Sequence, residues 1–397
     1  MPSTRNQPGV TIVTRLYAPD VDAVGRYAEQ LAESLAGGGR SVTVVCAGRS
    51  PDGARPTDGV RVIRVPLPQP AGSWKVRRLI DWIVFAWIAA LVCAFRRPRD
   101  LVVCTSFPPT TAFAMAALGR RTCLWCLDVY PEALALAGMT TKGSVGWKVL
   151  AAANAWAIRR MRAVVTLNET MARTVSDATG RRDVRVAELW ADPRQAPAAR
   201  VDRDRTRKEL GLSGEFVAMY AGNLGIGHDA EALLEAIAAS SRADHLRWVL
   251  VGSGEGRARI DRSAGGGSVR NLVSLPVQPV ARMPSLLSAA DVHLVTLCPG
   301  FDTVMFPSKL LAAVASGTPV VAVCDADSEL GRLVTSEGIG LVVAPGDGGA
   351  LVDSLESLRR SPDALGAMRA RIVELARGRF AAHLALARWD ELVRSIA

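Results

Sequence analysis

Two α/β halves, each a parallel sheet covered by helices on both faces, are predicted for this chain by three observations. Its 397 residues exceed one domain of ordinary size. Short apolar runs rich in β-branched residues alternate with helix-periodic segments along its whole length. That rhythm breaks once, in the middle. The first set of strands is "VTIVT" (10–14), "SVTVVCA" (41–47), "VRVIRVP" (60–66), "DLVVCTS" (100–106), "TCLWCLD" (122–128), "AVVTLN" (163–168) and "VRVAEL" (184–189). Between them lie helices such as "GRYAEQLAESLAGGG" (25–39), where Leu31 and Leu35 repeat at helical spacing before a glycine stop.

The break is "ADPRQAPAARVDRDRTRKELGLSGE" (191–215), rich in Pro, Arg and Asp, which reads as a linker running into a short helix. The second set of strands is "FVAMYAG" (216–222), "LRWVLVGSG" (246–254), "NLVSLPV" (271–277), "DVHLVTL" (291–297), "PVVAV" (319–323) and "GLVVAPG" (340–346). "EALLEAIAAS" and "MPSLLSAA" supply helices among them. The reading is two Rossmann-like domains, 1–195 and 196–375, with ligand expected near strand C-terminal ends in the cleft. Residues 376–397 form a closing amphipathic helix, expected to dock back on the N-terminal domain.

Composition narrows the partners. Apolar residues are 49% and charged ones 22%, as in a globular protein with a full core. The net charge of +10 favours an anionic partner. Aromatic residues are only 5% of the chain, which argues against a base-stacking surface, so no nucleic-acid partner is expected. The seven cysteines show no zinc spacing. "CLWC" (123–126) lies in an apolar run, and its thiols read as buried rather than redox or metal groups. "MPSTRNQPG" carries no secretory signal, and a cytoplasmic location is expected.

"LIDWIVFAWIAALVCAF" (79–95) has one charge, Asp81, in 17 residues, just short of the roughly 20 apolar residues of a spanning helix. Lys75, Arg77 and Arg78 precede it, and Arg96, Arg97 and Arg99 follow. Cations at both ends suit a helix lying on anionic headgroups, each worth roughly 1 kcal/mol there. The segment 75–99 is therefore expected to hold the chain peripherally on the inner face of the cytoplasmic membrane, with Trp82, Phe85 and Trp87 as contacts. The competing reading is a buried helix with a solvated basic rim.

Candidate chemistry clusters in the second half. "YAGNLGIGHDAE" (220–231) and "VGSGEGRARI" (251–260) put glycines after strands, where backbone approaches an anion closely or merely turns. In "MFPSKLLAAVASGTPVVAV" (305–323), Pro307 opens a helix whose first turn carries Lys309, although a helix dipole disfavours a cation there. Either an anion binds at that end or Lys309 is a solvated surface residue. Together the three features suit a nucleotide diphosphate. In "DVYPE" (128–132), Asp128 is at a strand end, either as a functional carboxylate or as the N-cap of the next helix. His228, the sole histidine in a candidate turn, reads as structural or solvated.

In order along the chain, "LYAPDVDAVGRYAEQLAESLAGGGRSVTVV", "LDVYPEALALAGM", "YAGNLG", "VLVGSGEGRARI", "LPVQPVARMPSLLSAADVHLV", "FPSKLLAAVASGTPVVAV" and "GIGLVVAPGD" resemble the family-4 retaining glycosyltransferases of the GT-B fold. More narrowly, they resemble the bacterial cell-envelope and exopolysaccharide branch with D-x-x-P-E and P-S-K motifs. The resemblance implies sugar transfer from a nucleotide-sugar donor, usually UDP-linked, to a lipid-linked or other hydrophobic acceptor, with no cofactor and no metal. It implies donor contacts from Gly222, Asn223, Gly252, Gly254, Ser308, Lys309, Leu310 and Glu329. It implies acceptor contacts from Gly25, Arg26, Asp128 and Glu132, with Asp128 and Lys309 as catalytic groups.

Two departures from the family pattern matter. Val304 and Ala312 stand where the wider family has two glutamates, and "NLGIGHD" replaces an arginine and a lysine. Lys309 would take over the missing cationic role. A secondary-metabolite glycosyltransferase, a GT-B epimerase and a non-catalytic nucleotide-sugar binder are the alternatives.

Overall fold

A computed structural model describes residues 9–18, 22–48, 59–67, 75–96, 99–119, 121–265 and 269–396. The chain divides into two compact units, one of Met1–Glu188, Thr303–Met305 and Ala385–Ala397, the other of Leu189–Asp302 and Phe306–Leu384.

In the first unit the strands are β1 (Val10–Val13), β2 (Val42–Ala47), β3 (Val60–Val65), β4 (Leu101–Thr105), β5 (Thr122–Trp125), β6 (Ala163–Thr166) and β7 (Val184–Val186). They form one parallel sheet in the order β3-β2-β1-β4-β5-β6-β7. The chain reverses its direction of winding between β1 and β4, and loops leaving the two sides of such a switch point form a crevice. The helices are α1 (Ala23–Gly37), α2 (Lys75–Arg96), α3 (Thr110–Ala117), α4 (Glu132–Leu136), α5 (Val145–Arg160) and α6 (Glu169–Thr179). Asp22 caps α1 by accepting the Val24 N–H at 2.8 Å, and Leu31 and Leu35 are buried on its inner face. The seventh strand ends at Val186, short of the expected 189, because the chain leaves the sheet edge after Ala187 donates to the Thr166 carbonyl.

The second unit holds α7 (Arg200–Glu209), β8 (Phe216–Asn223), α8 (Ala230–Ala239), β9 (Leu246–Ser253), α9 (Glu255–Ser263), β10 (Leu272–Leu275), α10 (Met283–Ser288), β11 (Val292–Thr296), α11 (Ser308–Ser316), β12 (Val320–Val323), α12 (Glu329–Glu337), β13 (Gly340–Val343), α13 (Gly348–Arg359) and α14 (Pro362–Arg377). Its parallel order is β10-β9-β8-β11-β12-β13, with the switch point between β8 and β11. Asp291, at the start of β11, accepts from the Val217 N–H and from Arg203 and Arg207 of α7. The arginine-rich helix after the linker is thus tied to the sheet by a carboxylate.

The last helix, α15 (Ala382–Ile396), packs on the first unit from Ala385 onward. Trp389 lies 4.8 Å from Trp125 between ring centroids, Asp390 pairs with Arg40 at 2.9 Å, and Arg162 donates to the Ile396 carbonyl.

The long apolar helix α2 buries one face and exposes another. Phe85, Ala86, Ala89, Ala90 and Cys93 are buried, whereas Ile80, Val84, Trp87, Ile88, Leu91 and Phe95 are exposed. The single charge of its apolar stretch 79–95, Asp81, meets Arg15 at 2.6 Å, both nearly buried. By length and composition Arg77–Phe95 is apolar enough to cross a membrane, but this ion pair holds the helix on the sheet. Phe85 is therefore core rather than a membrane contact, and Trp82 is partly buried. Of the flanking basic residues, Arg97 lies outside the described residues, as do the side chains of Lys75 and Arg96.

Candidate active site

Two loops leave the switch point of the second sheet, one after β8 and one after β11. Of the predicted donor residues, Gly222 and Asn223 end β8, and Ser308, Lys309 and Leu310 open α11 after the second loop, whereas Gly252 and Gly254 lie at the end of β9 and Glu329 opens α12. The Cys298 N–H donates to the Gly227 carbonyl at 3.0 Å, so the loops are stitched together. Strands β8 and β9 run in register to Gly222–Gly252 and Asn223–Ser253. Gly222 has φ +136°, and a Cβ there would meet Lys309 Cε at 2.9 Å. The glycine is needed so that the lysine can cross the strand end. At Gly252 and Gly254 an added Cβ would collide with the carbonyls of Gly222 and Leu224. These two glycines serve the close approach of neighbouring backbones. Arg257 donates to the Gly252 carbonyl and pairs with Asp261, which fixes the start of α9.

Lys309 is held by side chains that the pattern of the chain did not join to it. Its Nζ lies 2.9 Å from His228 Nε2 and 5.2 Å from the Tyr220 ring centroid. His228 Nδ1 is 2.6 Å from the Thr296 carbonyl, which can only accept, so Nδ1 carries the proton and Nε2 is left to accept from the ammonium. Burial first, then the Lys309 charge, push His228 down to about 3. Burial likewise pushes Lys309 down to about 7. No carboxylate among the described residues pairs with the ammonium.

Helix α11 begins at Ser308 with Pro307 as its N-cap, which has no side chain able to accept. Helices α8, α12 and α13 are capped by Asp229, Ser328 and Asp347. The uncapped N–H groups of α11 and the Lys309 ammonium make this end of the helix suited to an anion. The Leu310 side chain is fully buried, and its N–H is used by the Pro307 carbonyl at 3.1 Å, so Leu310 has no group to offer a donor. Glu329 opens α12, where its carboxylate lies 3.7 Å from Arg332 and its backbone N–H serves Asp302. Val304 is buried in the first unit, and Ala312 packs on the core of the second.

In the first unit, Asp128 follows β5. Its N–H and that of Leu127 donate to Ser106 Oγ at 3.0 Å, and its backbone bridges Met305. Asp128 does not cap α4, whose N-cap is Pro131. Its carboxylate accepts from the Tyr130 hydroxyl at 3.5 Å. Burial, with the Asp22 charge adding to it, raises Asp128 to about 6. Glu132 is also raised by burial, and its Oε2 is buried without a hydrogen-bond partner among the described residues. An added Cβ at Gly25 would meet the Leu16 and Tyr17 backbone at 3.2 Å, so this glycine lets α1 pack on the loop after β1. The Arg26 N–H bonds the Asp22 carbonyl in the first turn of α1.

The chain carries two doubly wound sheets, one with a desolvated cation at its switch point and the other with a carboxylate at its strand ends, which is the architecture of the GT-B fold. The family model for the glycosyl transferase 4-like domain matches residues 22–199, and that for glycosyl transferases group 1 matches residues 215–361. The chain belongs to the family-4 glycosyltransferases. It is 28% identical over 361 residues to WcaI of Escherichia coli (strain K12), described as a colanic acid biosynthesis glycosyl transferase, across 85% of this chain and 88% of the relative. It is 28% identical over 328 residues to the 2-deoxystreptamine glucosyltransferase of Streptomyces kanamyceticus, across 76% and 80%. Among solved structures, Anabaena HepE in complex with UDP-glucose superposes with a TM-score of 0.74 at 16% identity, over 98% of this chain and all of that one.

Proposed function

We infer that the chain transfers a hexose, with retention of configuration, from a UDP-sugar to a hydroxyl of a lipid-linked acceptor in envelope or exopolysaccharide synthesis. The observation that carries the reading is the Lys309 ammonium at the uncapped start of α11, held by a neutral imidazole and paired with no carboxylate among the described residues. A departing diphosphate is an anion of the size and charge that such a site would stabilise. Positive charge fixed in advance where negative charge develops lowers the barrier of such a transfer more than most other devices.

Ser308 and Lys309 would supply N–H groups, and Lys309 its ammonium, to the diphosphate. Gly222 and Asn223 would line its other side. At pH 7 Asp128, with a value of about 6, is mainly ionised and able to take a proton from an acceptor hydroxyl or orient it. The name of the Escherichia coli relative supports glycan synthesis, and the HepE complex supports UDP. The sheet order and the uncapped helix support an anionic donor independently of both. Peripheral attachment to the cytoplasmic membrane through the outer face of α2 belongs to the same reading.

A thermal-shift panel of nucleotides tests the donor. UDP is expected to stabilise the protein, and radiolabelled UDP-sugars are expected to label a lipid extract. A Lys309→Met protein that remains folded yet binds UDP unchanged would overturn the reading. The loss expected is about 10- to 100-fold in affinity, the range for a charge-assisted hydrogen bond to a phosphate.

A further inference from the structure

A cavity of about 590 Å³ opens in the first unit among α2, α3, α5 and the segment that carries α4. Its walls include Leu79, Trp82, Ile83, Phe113 and Leu134. Two of the polar groups on its lining are engaged within the protein. Thr110 Oγ1 donates to the Trp82 carbonyl at 2.9 Å, and Asn154 Nδ2 donates to the Tyr130 carbonyl. Most of the remaining lining is apolar, and the cavity is within the size range of small-molecule sites.

Two features distinguish it from a bare greasy face. One is Tyr130, a lining residue whose hydroxyl lies 3.5 Å from the Asp128 carboxylate, so the wall of the cavity adjoins that carboxylate. The other feature is Arg78, a lining residue whose guanidinium rests 5.3 Å over the Trp82 ring and whose charge is felt at Tyr130. A cation at the rim of an apolar cavity fits an amphiphile with an anionic head and a hydrocarbon tail. Polar aminocyclitol acceptors would leave these walls unused.

We propose that this cavity holds the first hydrocarbon segment of a phosphate-linked isoprenoid or alkyl acceptor, with Arg78 on its phosphate and the sugar hydroxyl directed to Asp128. The proposal rests on the lipid-linked acceptor of the preceding section. The occupant is a single acceptor chain rather than bulk bilayer lipid, which would meet Ile80, Val84, Ile88, Leu91 and Phe95 of α2, none of which lines the cavity.

The test uses the full chain with decyl phosphate, decanol and farnesyl phosphate as monomers, read by tryptophan fluorescence because Trp82 and Trp87 line the cavity. Saturable binding at one molecule per chain is expected. Each methylene added to a short alkyl phosphate should tighten it about fourfold until the cavity is full. Decyl phosphate should bind at least tenfold better than decanol, and Arg78→Gln should bring the two together. Ala153→Trp, which fills the cavity, should abolish binding, and Phe113→Ser should weaken it. UDP binding by each variant reports folding and the donor site separately. Binding that is unsaturable, or that survives Ala153→Trp in a protein still stabilised by UDP, overturns the cavity proposal and leaves the donor reading standing. Loss of UDP binding in the unmodified protein overturns the donor reading instead.

Discussion

At Lys309 the electrostatics of the proposed donor site are concentrated in one side chain. Burial favours the neutral amine, so the value falls to about 7, and a bound diphosphate restores the ordinary value by supplying an opposite charge. The sign follows. Nucleotide affinity is expected to be greatest below pH 7 and to fall as pH rises above it, with proton uptake on binding in the alkaline range. Calorimetry in two buffers of different ionisation enthalpy checks the proton count. His228→Phe removes the acceptor that orients the ammonium. It should weaken UDP binding about tenfold at pH 7 and shift the alkaline limb, whereas a purely structural role would lower the melting temperature alone. Asp128 works in the opposite direction. With a value raised to about 6, it makes the folded state less stable as pH rises from about 4 through 6. Asp128→Asn is expected to stabilise the protein at pH 8 by about 1–3 kcal/mol while removing the acid limb of the transfer rate and most of that rate. The pairing of His228 with Lys309 was not legible in the chain because 81 positions separate them. The available signal was topological, since each follows one of the two strands that flank the switch point.

Helix α2 has one buried and one exposed apolar face. Seventeen nearly uncharged residues suit a core or a lipid surface equally, and the structure divides them by face. The buried residues 85, 86, 89, 90 and 93 recur at helical spacing, and so do the exposed 80, 84, 87, 88, 91 and 95. Replacing Ile80, Val84, Ile88 and Leu91 by Ser should release the protein from anionic vesicles with little change in melting temperature. Phe85→Ser should destabilise it by about 3–5 kcal/mol and leave membrane affinity in the folded fraction unchanged. Vesicle sedimentation beside thermal melts separates the two. Asp81, unexplained in the bare pattern, is the anchor. Removing it would strand Arg15 at a cost of about 3–5 kcal/mol, the range for a broken buried pair.

At the scale of the whole molecule, the positive charge that suggested an anionic partner is partly used inside. Arg203 and Arg207 converge on Asp291, Arg40 on Asp390 and Arg15 on Asp81, and only the remainder can address phosphate or lipid. The closing helix is part of the first unit's core at Trp389, which is buried against Trp125. Trp389→Ala should cost about 3–5 kcal/mol in chemical denaturation, read from the first unit's tryptophan signal. The sequence by itself determined the strands, their parallel pairing and the two-sheet class. These depend on local periodicity and on residue types that act within a few positions of one another. Only the tertiary structure decided which carboxylate escapes a capping role, that Leu310 faces the core, that Gly25 serves packing, and that a histidine far along the chain meets Lys309. Those outcomes depend on burial and on distances across a sheet, which a linear pattern does not encode.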